Sequence, residues 1–136
     1  MGMYTELIFG AKLKKNTPEE VIETLRCMIE RLASPVPESI SSGKIDASLF
    51  MHYSTSFAVS EPQRFIVFDD VQKRYIVSTR SSIKNYDKQI ETFLEWIKPY
   101  IEEGSGAWNM YAIVIYEQFA KPDIYYLDDS GPEIDI

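Results

Sequence analysis

The chain has 136 residues, 45% of them hydrophobic and 26% charged, with a formal net charge of −7; this is the length of one domain, and a chain of this mass buries about two-thirds of its unfolded surface. A lone cysteine, Cys27, excludes an internal disulfide, and a lone histidine, His52, excludes a His/Cys zinc cluster. No apolar run reaches the ~18 residues of a membrane span, and the N-terminus has no signal-type stretch, so the expectation is one soluble, cytoplasmic domain over 1–136.

Residues Tyr4 to Leu13 alternate, with Thr5, Leu7, Phe9, Ala11 and Leu13 on one side, the period of a half-buried strand. Thr17, Pro18 and Glu20 then fit the N-cap, first and third positions of a capped helix. Val21, Ile22, Leu25, Met28, Ile29 and Leu32 follow at helical spacing, so a helix is predicted from Pro18 to about Leu32, with Cys27 off its apolar face as a passive, partly exposed thiol. Ala33 to Gly43, rich in Pro and Ser, reads as a loop. A second extended stretch falls within Ile45–Val59, most securely Thr55–Val59, with His52 at the surface.

Arg64–Phe68 and Arg74–Arg80 read as a hairpin joined by polar residues. A second helix follows, capped by Asn85 or Asp87, with Ile90, Phe93, Leu94, Ile97 and Ile101 as its stripe. Pro99 should kink it or tighten its last turn, because the ring clashes with the carbonyl of Glu95, and Gly104-Ser105-Gly106 should end it. Ala107–Phe119 is nearly continuously hydrophobic, as in a central strand buried on both faces, and Asp123–Leu127 is the last strand. Residues 128–136 read as a flexible acidic tail.

The fold class is therefore α+β. It is a single, mostly antiparallel sheet of about six strands with two helices on one face, in the order β-α-β-β-β-α-β-β. The triplets Ile22-Glu23-Thr24 and Ile90-Glu91-Thr92 lie half a chain apart; they are compatible with an internal βαββ duplication and equally with convergence. The helices should lie side by side through Leu25, Met28, Leu32, Leu94, Ile97 and Ile101.

Charge narrows the partners. Glu117–Ile136 holds six acids against one base, so the other 116 residues carry only −2. Phosphate-binding surfaces present basic stripes, which argues against nucleic acid and anionic membrane as partners. The acidic end is either a solvated tail or a patch for a basic partner.

Catalytic signatures are missing. There is no nucleophile elbow, P-loop or dinucleotide fingerprint. Asp69-Asp70 and Asp128-Asp129 are adjacent pairs, and neighbours in a strand point to opposite faces, so no shared acid site, metal or other cofactor is implied. The strand-to-helix segment holding Arg80, Ser81, Ser82, Lys84 and Asn85 is the candidate anion site, since a helix N-terminus offers free N–H groups; the plainer reading is a helix-capping loop. Aromatic residues make up 13% of the chain and are dense in its last third. They are either strand filler or a recognition face, for which Tyr111, Ile113, Ile115 and Tyr125 are the candidate protein-interaction residues.

Three stretches carry a family resemblance: Met3-Tyr4-Thr5-Glu6 with Leu13-Lys14-Lys15-Asn16-Thr17-Pro18 and Val21-Ile22; Ser78 through Tyr86, then Phe93 through Ile101; and Pro122-Asp123-Ile124-Tyr125-Tyr126-Leu127. Together they resemble small uncharacterised proteins of phages and prophages. The resemblance implies a mobile-element accessory protein in a bacterial cytoplasm and transfers no site residues.

The sequence thus leads to a non-enzymatic protein-binding protein, with a host factor or a second copy of itself as partner. The alternative is a small-molecule or anion-binding enzyme using residues 80–85. A sheet with helices on one face leaves its other face to be covered, which favours a homodimer or a partner-bound form.

Overall fold

The alternation over the first residues becomes strand β1 (Thr5–Lys12), the centre of the fold. The computed structural model describes residues 4–31, 36–51, 63–85, 88–104, 109–117, 119 and 121–127. The other strands are β2 (Gln63–Asp69), β3 (Arg74–Ile83), β4 (Met110–Tyr116) and β5 (Asp123–Tyr126). All pair antiparallel, in the order β2-β3-β1-β4-β5. The helices are α1 (Glu19–Glu30), α2 (Glu38–Ser41) and α3 (Gln89–Ile97). The fold is α+β, with a five-stranded antiparallel sheet among the described residues. The extended stretch expected at Thr55–Val59, His52 and the tail 128–136 lie outside the described residues.

Register fixes the two faces. Phe9 pairs with Thr79 and Ala112, and Leu7 with Ser81 and Val114. These side chains share one face, because side chains on paired residues point the same way. Both long helices cover that face. Arg26 of α1 donates to the Tyr75 hydroxyl at 3.2 Å and lies over its ring, while Phe93 of α3 meets Phe9 edge-on at 5.2 Å. Helix α1 therefore sits over β2 and β3, and α3 over β1, with Leu25, Met28, Ile90, Leu94 and Ile97 all buried. Leu32, expected in this contact, is outside the described residues.

Several local expectations are corrected. The capping box of α1 does not form: Pro18 is the cap residue, the Thr17 hydroxyl donates back to the Lys14 carbonyl at 2.6 Å, and Glu20 accepts from Ser39. A turn at 14–17 competes for the same hydroxyl, a common fate of threonine outside helices. Cys27 is buried, 8% exposed. It belongs to the stripe Glu20-Thr24-Cys27-Arg31, whose ends bind Ser39 and the Ala47 carbonyl. The segment expected as plain loop thus contains α2, and with Ile45, Leu49 and Phe50 it covers a second flank of α1.

Strand β3 runs on to Ile83, past the expected end at Arg80. Pro99 does tighten the end of the second helix, into a 3-10 turn at Lys98–Tyr100. The glycine stop is not used, since Ile101 is already extended and bridges Leu13. The long strand expected at 107–119 is shorter, Met110–Tyr116, and is not central. β4 lies between β1 and the edge strand β5, and its hydrophobic run is one helix-covered face plus one apolar uncovered face, with Ile113 and Ile115 half-buried.

Candidate interaction surface

The face of the sheet away from α1 and α3, which no described helix covers, mixes apolar side chains with Lys12, Ser78 and Ser82. Strand alternation assigns it Ile8, Phe65, Val67, Ile76, Ile113, Ile115 and Ile124. Phe65, Val67 and Ile124 are 47%, 48% and 44% exposed. A polar pair interrupts it: Glu6, only 3% exposed, accepts from Arg80 Nε at 2.9 Å.

The candidate anion residues separate. Alternation along β3 turns Arg80 and Ser82 to the uncovered face and Ser81 to the helix face, where it is fully buried. Lys84 lies over the Tyr4 ring. Asn85 does cap α3 from upstream: its Oδ1 accepts from the Ile90 amide at 2.9 Å and its Nδ2 donates to Glu91 at 2.7 Å. Because the segment is strand through Ile83, its donors fan out to both faces.

The candidate interaction residues divide as well. Ile113 and Ile115 are on the uncovered face. Tyr111 is only 5% exposed, because a β-bulge between Met110 and Ala112 adds a residue and turns its ring towards the end of α3. There it meets Tyr125 at 6.1 Å between ring centroids. Tyr116 also faces the helices, donating its hydroxyl to Glu91 at 2.9 Å. Burial, then the Glu91 hydrogen bond and charge, push the Tyr116 hydroxyl well above the ordinary tyrosine range. Burial, then the charges of Glu91, Asp123 and Glu95, raise that of Tyr125.

Two hollows flank this end of the sheet. A groove of about 420 Å³ runs between α3 and β5, with Glu95, Lys98, Tyr111, Tyr125 and Tyr126 in its walls. A cleft of about 470 Å³ opens where β4 parts from β1, beside Gly10, Lys12, Glu102 and Met110. Its charged wall is partly neutralised, since Glu102 is ion-paired with Arg74.

Sequence reasoning missed Arg64, which ties edge strand β2 to the helical layer. Its Nε donates to the Ile29 carbonyl at 2.9 Å and its Nη1 to that of Phe50 at 3.1 Å. The Ile29 carbonyl is one of the orphan acceptors at a helix C-terminus. The only signal was an arginine in step with Ile66 and Phe68 along an alternating strand. Among the described residues no three His, Cys, Asp or Glu side chains gather as metal ligands, and no helix is long and apolar enough to cross a membrane. The chain matches no family model, no curated protein and no solved structure.

Proposed function

We propose that this is a non-enzymatic protein-binding accessory protein, phage- or prophage-encoded, acting on a host factor in the bacterial cytoplasm. The observation that carries the reading is the uncovered sheet face. Phe65, Val67 and Ile124 are each more than two-fifths exposed there, beside half-buried Ile8, Ile113 and Ile115. Large apolar side chains exposed on one sheet face mark candidate interaction sites. A host protein or a second copy of the chain would bury it. The two helices on one sheet face also suit an internal βαββ duplication, which needs a sixth strand.

The enzyme alternative, with an anion held by Arg80, Ser81, Ser82, Lys84 and Asn85, draws less support. Arg80 faces Glu6 across the uncovered face and Asn85 is engaged in capping α3. Affinity capture from bacterial lysate tests the leading reading. A retained protein should be lost on Val67→Asp and kept by Lys121→Ala. Failure to retain any partner, or equal retention by both variants, overturns the hetero-partner form.

A further inference from the structure

We propose that two copies of the chain pair antiparallel through the outer edges of their β2 strands, joining the two sheets into one. The inference goes beyond the sheet-face reading, because it uses the rim of the sheet and leaves that face open.

β2 is an end strand, bonded to β3 on one side. The Leu13 amide donates to the Tyr75 carbonyl, and antiparallel pairs alternate between bonded and non-bonded, so odd residues of β3 turn their main-chain groups to β1 and even ones to β2. Gln63, Phe65 and Val67, opposite Arg80, Ser78 and Ile76, therefore bond inward. The N–H and C=O groups of Arg64, Ile66 and Phe68 point outward, and none has a main-chain partner among the described residues. Unpaired edges of this kind are templates for a further strand, and proteins blunt them with proline, lysine, bulges or short length. The seven residues of Gln63–Asp69 have none of these; Phe65-Ile66-Val67-Phe68 runs through the middle in unbroken register. The opposite edge strand, β5, is four residues long and pairs with β4 across a bulge.

The occupant of such an edge is an extended chain, since a strand repeats its donors and acceptors at the same spacing. β2 is complementary to itself. About a two-fold axis at Ile66, that residue faces the partner's Ile66 and Arg64 faces the partner's Phe68, so each outward N–H and C=O meets its counterpart. Phe65 then lies beside the partner's Val67 on the uncovered face, and pairs of aromatic and β-branched side chains stabilise sheets. Both are exposed in the single chain. Charge fixes the direction. Arg64 stands near one end of β2 and Asp69 at the other, so antiparallel pairing brings unlike ends together, whereas parallel pairing would stack like charges. Arg64 also fastens the strand to the Ile29 and Phe50 carbonyls, so the edge is held in shape before it pairs.

Sedimentation equilibrium and amide hydrogen exchange of the full chain test the pairing. The purified protein should dimerise with rising concentration. The Arg64, Ile66 and Phe68 amides, open in the dilute monomer, should exchange more than about tenfold more slowly in the dimer. Phe68→Pro removes an outward N–H that the chain itself does not use, a change edge strands tolerate. It should weaken the dimer about tenfold, since symmetry counts the lost hydrogen bond twice. Phe68→Ala, which loses the ring and keeps the N–H, should dimerise far better than Phe68→Pro. Ile124→Asp, on the uncovered face at the far edge of the sheet, should dimerise like the wild type. A host protein held by the sheet face would instead be lost on Ile124→Asp and kept by Phe68→Pro, so the two readings fail separately. A strict monomer at high micromolar concentration, a dimer lost on Ile124→Asp and kept by Phe68→Pro, or amides that stay open in the dimer would overturn the edge pairing.

Discussion

Arg80 reaches diagonally from β3 to Glu6 on β1, placing both Nε and Nη2 at 2.9 Å from the same Glu6 oxygen. Glu6 is 3% exposed and Arg80 22%. Removing the guanidinium strips a buried carboxylate of this counter-charge, and loss of one partner of such a pair costs about 3–5 kcal/mol. Arg80→Ala should therefore destabilise by that amount in urea denaturation. Glu6→Ala should cost less, since the remaining arginine already reaches water. The reverse order would show that the pair does not set the stability of this face.

Leu25, on the inner face of α1, is fully buried. Leu25→Ala should cost about 2–5 kcal/mol, the loss of transfer energy plus the cavity left behind. Val71→Ala, at an 89%-exposed turn position, should stay within about 0.5 kcal/mol. A small effect at Leu25 in chemical denaturation would mean that α1 does not press this side against the sheet.

The uncovered face leads to an association test. Sedimentation equilibrium should show a concentration-dependent dimer, and Val67→Asp should shift it to monomer without unfolding. A strict 15.7 kDa monomer at high micromolar concentration excludes a stable homodimer and leaves the partner-bound form.

Tyr116 gives a pH dependence with a definite sign. Its hydroxyl holds its proton more tightly in the folded chain than in the unfolded one, where tyrosine titrates near ~10. Its contribution is fully present below that pH and is lost as pH rises above it towards the raised folded value. Stability of the wild type should thus fall more steeply than that of Tyr116→Phe above about pH 10. At neutral pH the variant should lose about 1 kcal/mol with the hydrogen bond to Glu91. Parallel alkaline profiles in urea melts would sink this account.

Cys27 offers a probe of the helical layer. As a buried thiol outside any disulfide, it should react slowly with a thiol reagent in the native protein and at the free-thiol rate in urea. Rapid native labelling would mean that the cover formed by residues 36–51 opens readily.

What the sequence determined was local. The stripe Val21-Ile22-Leu25-Met28-Ile29, the β2–β3 hairpin and the tightening at Pro99 were legible because 3.6- and two-residue periods and a missing amide act within a few residues. The helix-facing core of Leu7, Phe9 and Phe93 followed from those periods. The tertiary structure decided the rest. It placed β1 between β3 and β4, pairing Leu7 with Ser81 and Val114, and strand order over such separations depends on packing between distant segments. The sheet extends through Ser81 and Ser82, so the polar run read as a loop became alternating strand and sent its donors to both faces. Cys27 was buried by a segment whose folding left no periodic signal. At the candidate site, Ile113 and Ile115 lie on the uncovered face that alternation implies. A single bulge, invisible in composition, moved Tyr111 beneath α3 beside Tyr125 and Glu95, because one added residue reverses the direction of the side chains that follow.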